Sequence, residues 1–501
     1  MKILREGNTS WIINKHSSNF DLLIIYLKLL KDNKEINNEI IMEYLENLNV
    51  QGVYNPRFDG NNITTFKNKV TELAFYMFGF KHENKFFLSP LGNLLLKHIN
   101  DKLKVRQIFL SMLWGFQFQH PENRTSDEFK IFPFRLFYKL MSDKRLSNYL
   151  ETIEILYFLY FIKEINLSDY EELVTEIKEF RILSNPEKLK KLFSSNVGRQ
   201  NIINKEDSDI ANEMFWANKV HEWDYYFIKF LNESGVLNVE DGELIHQLRH
   251  FSARAKVKTY RKINQTRYSI PNELTHLVEQ LEYNYPFYSK PISNENQSLL
   301  EFKTNVYSFI PNFLLKVLNE TGYDYTIFDK IINNELIEID FEDLVGSSVQ
   351  SDRFNDFEFY IKDSFNLFSD VTATRISGAG NTDIECMYKP ISEKFNVEAK
   401  TRKKQLEDVS ISRLQKHREK NGAKYTIIIT SKYSIGALTD IRQTNNTILQ
   451  SRIFANYMFN IMNTKDKSYT ELRNIINNNL GKSSSLDLAK HNLDKFSTTI
   501  N

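Results

Sequence analysis

The stretch FNVEAKTRK occupies residues 395–403. Side chains alternate between the two faces of a strand, so positions two apart share a face. Glu398 and Lys400 then point one way, and Phe395, Val397 and Ala399 the other. Alone, such a pair is an ordinary charge pair on an exposed strand and contributes little. Its neighbours give it a second meaning.

Upstream, RFNDFEFYIKDSFNLF (353–368) has helical periodicity, with Phe354, Phe357, Ile361, Phe365 and Phe368 as its apolar stripe. Glu358 lies in or beside that stripe, where a carboxylate is costly unless a cation meets it. Then come DVTATRIS, GAGNTDIECMY, FNVEAKT and KYTIIITS, each rich in β-branched and aromatic residues and bounded by turn formers. Between the last two, LEDVSISRLQKHREKNG reads as a helix ending at Asn-Gly. The expected order is helix, three strands, helix, strand. Gly378 and Gly380 flank a tight turn before Asp383, where glycine permits unusual backbone angles.

If the strands holding Asp383 and Glu398 are neighbours, both carboxylates converge on one hard cation, with Glu358 as a third oxygen ligand. Magnesium suits such a site, and Mn2+ can substitute. Lys400 would then orient or deprotonate a water and offset charge on a phosphate. Glu385 shares the strand face of Asp383 and is a reserve ligand.

These residues resemble the PD-(D/E)xK nuclease core, with Asp383 at the D position and Glu398-Ala399-Lys400 as the ExK. Thr382 stands where a proline is usual. The resemblance covers residues 350–432. FFLSPLGNLLLKH, GFQFQHP, FKIFPFRLFYKLM and VSISRLQKHREKNGAKYTIIIT extend it, more loosely, to the AlwI-type (type IIS) restriction endonucleases and related nicking enzymes. The resemblance implies an N-terminal region that reads a short asymmetric site in double-stranded DNA, and a C-terminal domain that cuts outside it. It also implies that Gln415, His417 and Arg418, on the helix after the ExK strand, support the site or meet phosphate. Arg402, Lys403 and Lys404, at the strand's end, are placed to meet the scissile strand. One core cuts one strand, so a double-strand break needs a transient homodimer, a second nuclease subunit or two successive events.

The rest of the chain sets limits. A length of 501 residues is too long for one ordinary core. The net charge of +1 carries no whole-chain signal, so an anionic partner must be met by local clusters. The single cysteine, Cys386, excludes a disulfide framework or Cys-rich zinc site and reads as core packing. No signal core opens the chain, and IEILYFLYFI (153–162) is too short for a bilayer, so a cytoplasmic prokaryotic protein without membrane contact is expected.

The first 280 or so residues read as mainly helical. TTFKNKVTELAFYMFGF, with Thr64 or Thr65 as N-cap, leads through the strand-like KFFLS to another helix, an order compatible with a winged-helix unit. A second block begins at EWDYYFIKFLNESGVLNV, with Trp223 and Phe227 on its helix. From Leu244 to Ile270 no acid occurs, while Arg249, Arg254, Lys256, Lys258, Arg261, Lys262 and Arg267 do, with Tyr260 and Tyr268 interleaved. That composition suits phosphate contact; the bland alternative is a solvated face.

The expected architecture is therefore multidomain α+β. Residues 1–285 form a mostly helical, winged-helix-containing DNA-recognition region, and 286–335 a linker with connecting helices. Residues 336–470 form an α/β restriction-endonuclease-like domain, and 471–501 a helical tail. The expected function is a Mg2+-dependent, sequence-specific endonuclease, of type IIS. The alternatives are a nicking, repair or transposon-type nuclease with the same core, or a DNA-binding protein without activity. Cuts at one fixed offset from a short motif separate the first from the rest.

Overall fold

The structure is a computed structural model. It describes residues 10–15, 17–31, 36–50, 62–123, 126–194, 208–252, 257–295, 297–318, 341–349, 353–376, 380–401, 404–462, 464 and 466–496. The chain divides into two compact units, residues 1–293 and 294–501.

The first unit is largely helical. α1 (Phe20–Leu29) and α2 (Asn38–Val50) bury Leu23, Leu27, Ile41 and Leu45 along one face each. α3 (Asn62–Phe75) begins ahead of Thr64 and Thr65, so these sit in its first turn rather than at its cap. It leads into the hairpin of β1 (Gly79–His82) and β2 (Lys85–Leu88), then α4 (Pro90–Lys97). Ser89 starts α4: its hydroxyl oxygen accepts the Gly92 N–H at 2.9 Å, and Pro90 follows at the first helical position.

Further on, α5 (Ser208–Val220) runs into a π-helical stretch, His221–Ile228, that buries Trp223 and Phe227. The basic segment then folds as strands, which its composition had not announced. β3 (Leu244–Ser252) and β4 (Val257–Asn264) pair antiparallel, and β5 (Arg267–Ser269) joins a separate small sheet.

The second unit is built on a five-stranded mixed sheet. Its strands are β6 (Val371–Arg375), β7 (Ile384–Tyr388), β8 (Glu393–Lys400), β9 (Thr426–Thr430) and β10 (Asn446–Gln450), in spatial order β10-β9-β8-β7-β6. Among the first three, β7 runs antiparallel to both β6 and β8; β8, β9 and β10 run parallel. TIIIT in β9 is buried throughout, as a strand covered on both faces must be.

One face of the sheet carries the larger core. Phe395, Val397, Ile427 and Ile429 meet Phe357, Ile361 and Phe365 of α6 (Phe354–Asn366). α7 (Ser451–Met462), α8 (Thr470–Asn478) and α9 (Ser485–Phe496) complete it with Phe454, Leu472, Ile476 and Leu488. Residues beyond 470, read from sequence as a tail, are thus part of this core. Phe354, at the first residue of α6, lies ahead of the packed stripe and is 51% exposed. The opposite face is covered by α10 (Ile411–Asn421), with Leu414 packed on Ile428 and Ile448. α10 stops at Gly422, whose φ of +71° is the left-handed conformation that ends helices. Cys386 is buried in the larger core. Among the described residues, no helix is long and apolar enough to cross a membrane.

Candidate active site

The register of β7 on β8 sets Ile384 opposite Val397. One step further, Asp383 lies opposite Glu398, and directly opposed residues of an antiparallel pair share a face. Lys400, two beyond Glu398, joins them. The three face away from the larger core, because Val397 and Ala399 point into it.

Side-chain geometry closes the site. The Lys400 ammonium donates to Glu398 Oε2 at 2.6 Å and to Asp383 Oδ2 at 3.2 Å. Asp383 Oδ2 also accepts the Ala399 N–H at 2.8 Å, which fixes it across the strand pair. Burial pushes the Asp383 carboxyl above the usual carboxylate range; Lys400 draws it down, while Glu398 and Glu358 add to the rise. Glu398 is only 1% exposed, so its charge depends on its partners. Those partners include two residues of α10, one helical turn apart. His417 Nδ1 lies 3.1 Å from Glu398 Oε1, and Arg413 Nη2 donates to Oε2 at 3.3 Å.

Two hard oxygen donors with an ammonium already held between them fit a magnesium ion, which takes one or two carboxylates and completes its shell with water and substrate oxygens. Glu358 does not complete a third corner here. Its carboxylate is taken by Arg375, whose Nε donates at 2.6 Å, and Arg375 also packs over Phe359. Among the described residues, no group of three acidic, histidine or cysteine side chains is close enough to hold a metal. Arg375 is the cation that the stripe-edge position of Glu358 calls for, supplied by β6 rather than by a metal. Glu385 shares the face of Asp383, opposite Asn396. Gly380 has a φ of +80°, in keeping with a turn only glycine adopts easily; Gly378 lies outside the described residues.

The residues expected at DNA are placed unevenly. His417 is buried against Glu398. Arg418 is also buried, and donates to Thr426 Oγ1 at 3.1 Å and Asn446 Oδ1 at 2.5 Å; it joins strand starts instead of facing outward. Gln415 is exposed and bonded to Glu419 of its own helix at 2.9 Å. Lys404 is exposed, and Arg402 and Lys403 lie outside the described residues. In the first unit, Arg249 is held by Glu213, while Lys262 and Tyr260 are exposed. Arg261 is half-buried. Arg267 lies 3.7 Å from Glu151. Tyr268 is buried, bonded to Thr152 and Asp224, and so packs the core instead of offering a ring to a base. Arg254, Lys256 and the side chain of Lys258 fall outside the described residues.

Arg413 and Arg375 were missed. For Arg413 a signal existed: it stands four before His417, so one helix face carries both. For Arg375 the cue was the costly position of Glu358.

Known proteins give a consistent context. A sequence profile described as "Type II restriction endonuclease HgaI, N-terminal domain" matches residues 6–285. The type II restriction enzyme HgaI of Avibacterium volantium is 33% identical over 502 residues, covering 97% of each chain. Among solved structures, that of restriction endonuclease FokI bound to DNA is 10% identical, with a TM-score of 0.24, and covers 94% of this chain and 93% of its own. The BpuJ1 endonuclease binding domain, in complex with modified DNA, is 13% identical, with a TM-score of 0.34, over 60% of this chain and 94% of its own. At those scores the structural likeness carries no argument. The sequence match does, and it names HgaI where the residues had suggested the AlwI-type enzymes. The chain belongs to the type II restriction endonuclease HgaI family.

Proposed function

We propose that this protein is a Mg2+-dependent, site-specific DNA endonuclease of type IIS, with a PD-(D/E)xK centre formed by Asp383, Glu398 and Lys400. The observation that carries the reading is the meeting of these three on one sheet face, in a chain alike from end to end to a type II restriction enzyme. In this reading the first unit, with its hairpin between α3 and α4 as a winged-helix-like element, recognises the DNA site. The second unit hydrolyses the phosphodiester bond.

Asp383 and Glu398 would hold the ion. Magnesium, when bound, supplies Lewis-acid charge at the phosphate. Ala399 N–H and His417 fix the two carboxylates so that little reorganisation is needed when the substrate arrives. Lys400 Nζ, which donates to both acids, can offset charge that grows on the phosphate oxygens.

Asp383→Ala, Glu398→Ala and Lys400→Ala are each expected to lower cleavage by at least about 1,000-fold while binding to the specific DNA site persists. Retained cutting by Asp383→Ala would overturn the assignment. Run-off sequencing of both strands after digestion tests the remainder. Cuts at a fixed offset outside a short asymmetric motif are expected, and cuts scattered by DNA structure would exclude a type IIS enzyme.

A further inference from the structure

Within the basic hairpin of the first unit, the structure treats two arginines differently. Leu248 lies opposite Arg261, and His250 opposite Thr259. Arg261, Thr259, Leu248 and His250 therefore share a face. That face turns toward α5: Leu248 is fully buried, and His250 Nε2 lies 3.0 Å from Asn218 Oδ1.

The nearby acids are already spent. Glu213 accepts the backbone N–H of Arg249 at 2.6 Å and its Nε at 2.7 Å. Glu222 takes Lys15 at 2.5 Å and Lys219 at 2.9 Å. The Arg261 side chain has no hydrogen bond or ion pair among the described residues, and its buried Nε has no acceptor. Burial, Arg261, His250 and Lys15 together push His221 down to about 4, and burial and Arg261 lower His250 as well. Glu222 acts the other way on His221 but is outweighed. The imidazoles have given up their protons; the guanidinium cannot do so. Beside them Tyr225 is 49% exposed, stacked on His221 with ring centroids 5.0 Å apart. A half-buried, unpaired guanidinium among neutral imidazoles is a place lacking one anion.

We propose that Arg261, flanked by His221 and His250, receives one backbone phosphate of duplex DNA. A guanidinium fork matches phosphate oxygens two at a time, and the neutral His221 imidazole can offer one N–H beside it, while the His250 N–H stays on Asn218 Oδ1. The site gives affinity and register, not base identity. It rests on the endonuclease reading, since that reading supplies the DNA.

The test is fluorescence anisotropy with a labelled duplex that the wild type cuts, in EDTA so that binding is read without cleavage. Arg261→Ala is expected to weaken binding about tenfold, and to lower the slope of log K against log salt by about 0.9, the share of one phosphate. Arg261→Lys keeps the charge without the fork. It should retain the slope and lose only a few-fold in affinity, and it serves as the reading where alanine unfolds the hairpin. Lys163→Ala, which removes a charge already paired with Glu128 at 2.9 Å, should leave affinity and slope as they are. Unchanged affinity and slope in Arg261→Ala, with wild-type binding intact, overturn this site alone. A wild type that binds no duplex overturns both the site and the endonuclease reading.

Discussion

Both oxygens of Glu398 are engaged: His417 faces Oε1, and Lys400 and Arg413 share Oε2. Arg413 is the longer contact and is 53% exposed, so it is the one most easily exchanged. A divalent ion must compete with it for the same lone pairs. Arg413→Ala is therefore expected to tighten Mg2+ or Ca2+ binding to the free protein by about threefold, read by calorimetry. Weaker binding would mean that Arg413 holds Glu398 in place instead of competing. In the first unit, burial pushes Asp224 up to about 7, against the hydrogen bond from Tyr268. An acid whose folded pKa is raised favours folding only while protonated. Stability is thus lost as pH climbs from the unfolded value, about 4, to about 7. Asp224→Asn keeps an acceptor for Tyr268 without that loss. It should raise stability by at least about 1 kcal/mol at pH 8, about 2–4 °C in Tm, and do little at pH 4. Equal effects at the two pH values would show that Asp224 ionises freely.

At the scale of elements, α10 is the part on which the site leans. Leu414 is 2% exposed and seats the helix on Ile428 and Ile448, while Arg413 and His417 reach Glu398 from the same helix. Leu414→Ala is expected to cost about 2–5 kcal/mol. Cleavage should fall with it, since the helix that orients Glu398 is loosened. Urea unfolding followed by a cleavage assay at low temperature measures both; unchanged stability would show that α10 is held from elsewhere. The helix was legible in sequence from its periodicity and its Asn421-Gly422 stop. β10 was not, because TNNTILQ offers only Ile448 and Leu449 as apolar residues. Its polar side chains are buried on tertiary partners: Asn446 accepts from Arg418, and Thr447 donates to the Lys482 carbonyl at 2.8 Å. The chain at Gly481–Ser484 then covers its edge, with Gly481 N–H on Asn446 O at 2.8 Å and Ser484 N–H on Ile448 O at 3.0 Å.

The same closing segment matters for the whole molecule. α8 and α9 place Leu472, Ile476, Leu488 and Ala489 in the core of the second unit. They add ion pairs as well: Arg473 donates to both oxygens of Glu393 on β8, at 2.7 and 2.9 Å. A chain ending at residue 470 would expose that core. It is expected to lose the second unit's cooperative unfolding and all cleavage, with Trp fluorescence of the first unit little changed. Intact cleavage by the truncated chain would contradict the packing. All four tryptophans, Trp11, Trp114, Trp216 and Trp223, lie in the first unit, so the two transitions can be told apart.

What the sequence determined by itself was what depends on short-range pattern. Alternation placed Glu398 and Lys400 on one strand face, periodicity placed α6 and α10, and the order of elements put Asp383 at the start of the preceding strand. Tertiary structure decided what depends on pairing across distance. Register set Asp383 opposite Glu398; β6 delivered Arg375 to Glu358; α10 turned Arg413 and His417 inward and Gln415 outward. In the first unit, a uniform run of basic residues became one arginine paired with Glu213 and another whose side chain has no partner among the described residues. Charge along a chain says which groups are present. Only the packing of neighbouring elements says which of them have already met their counter-charge.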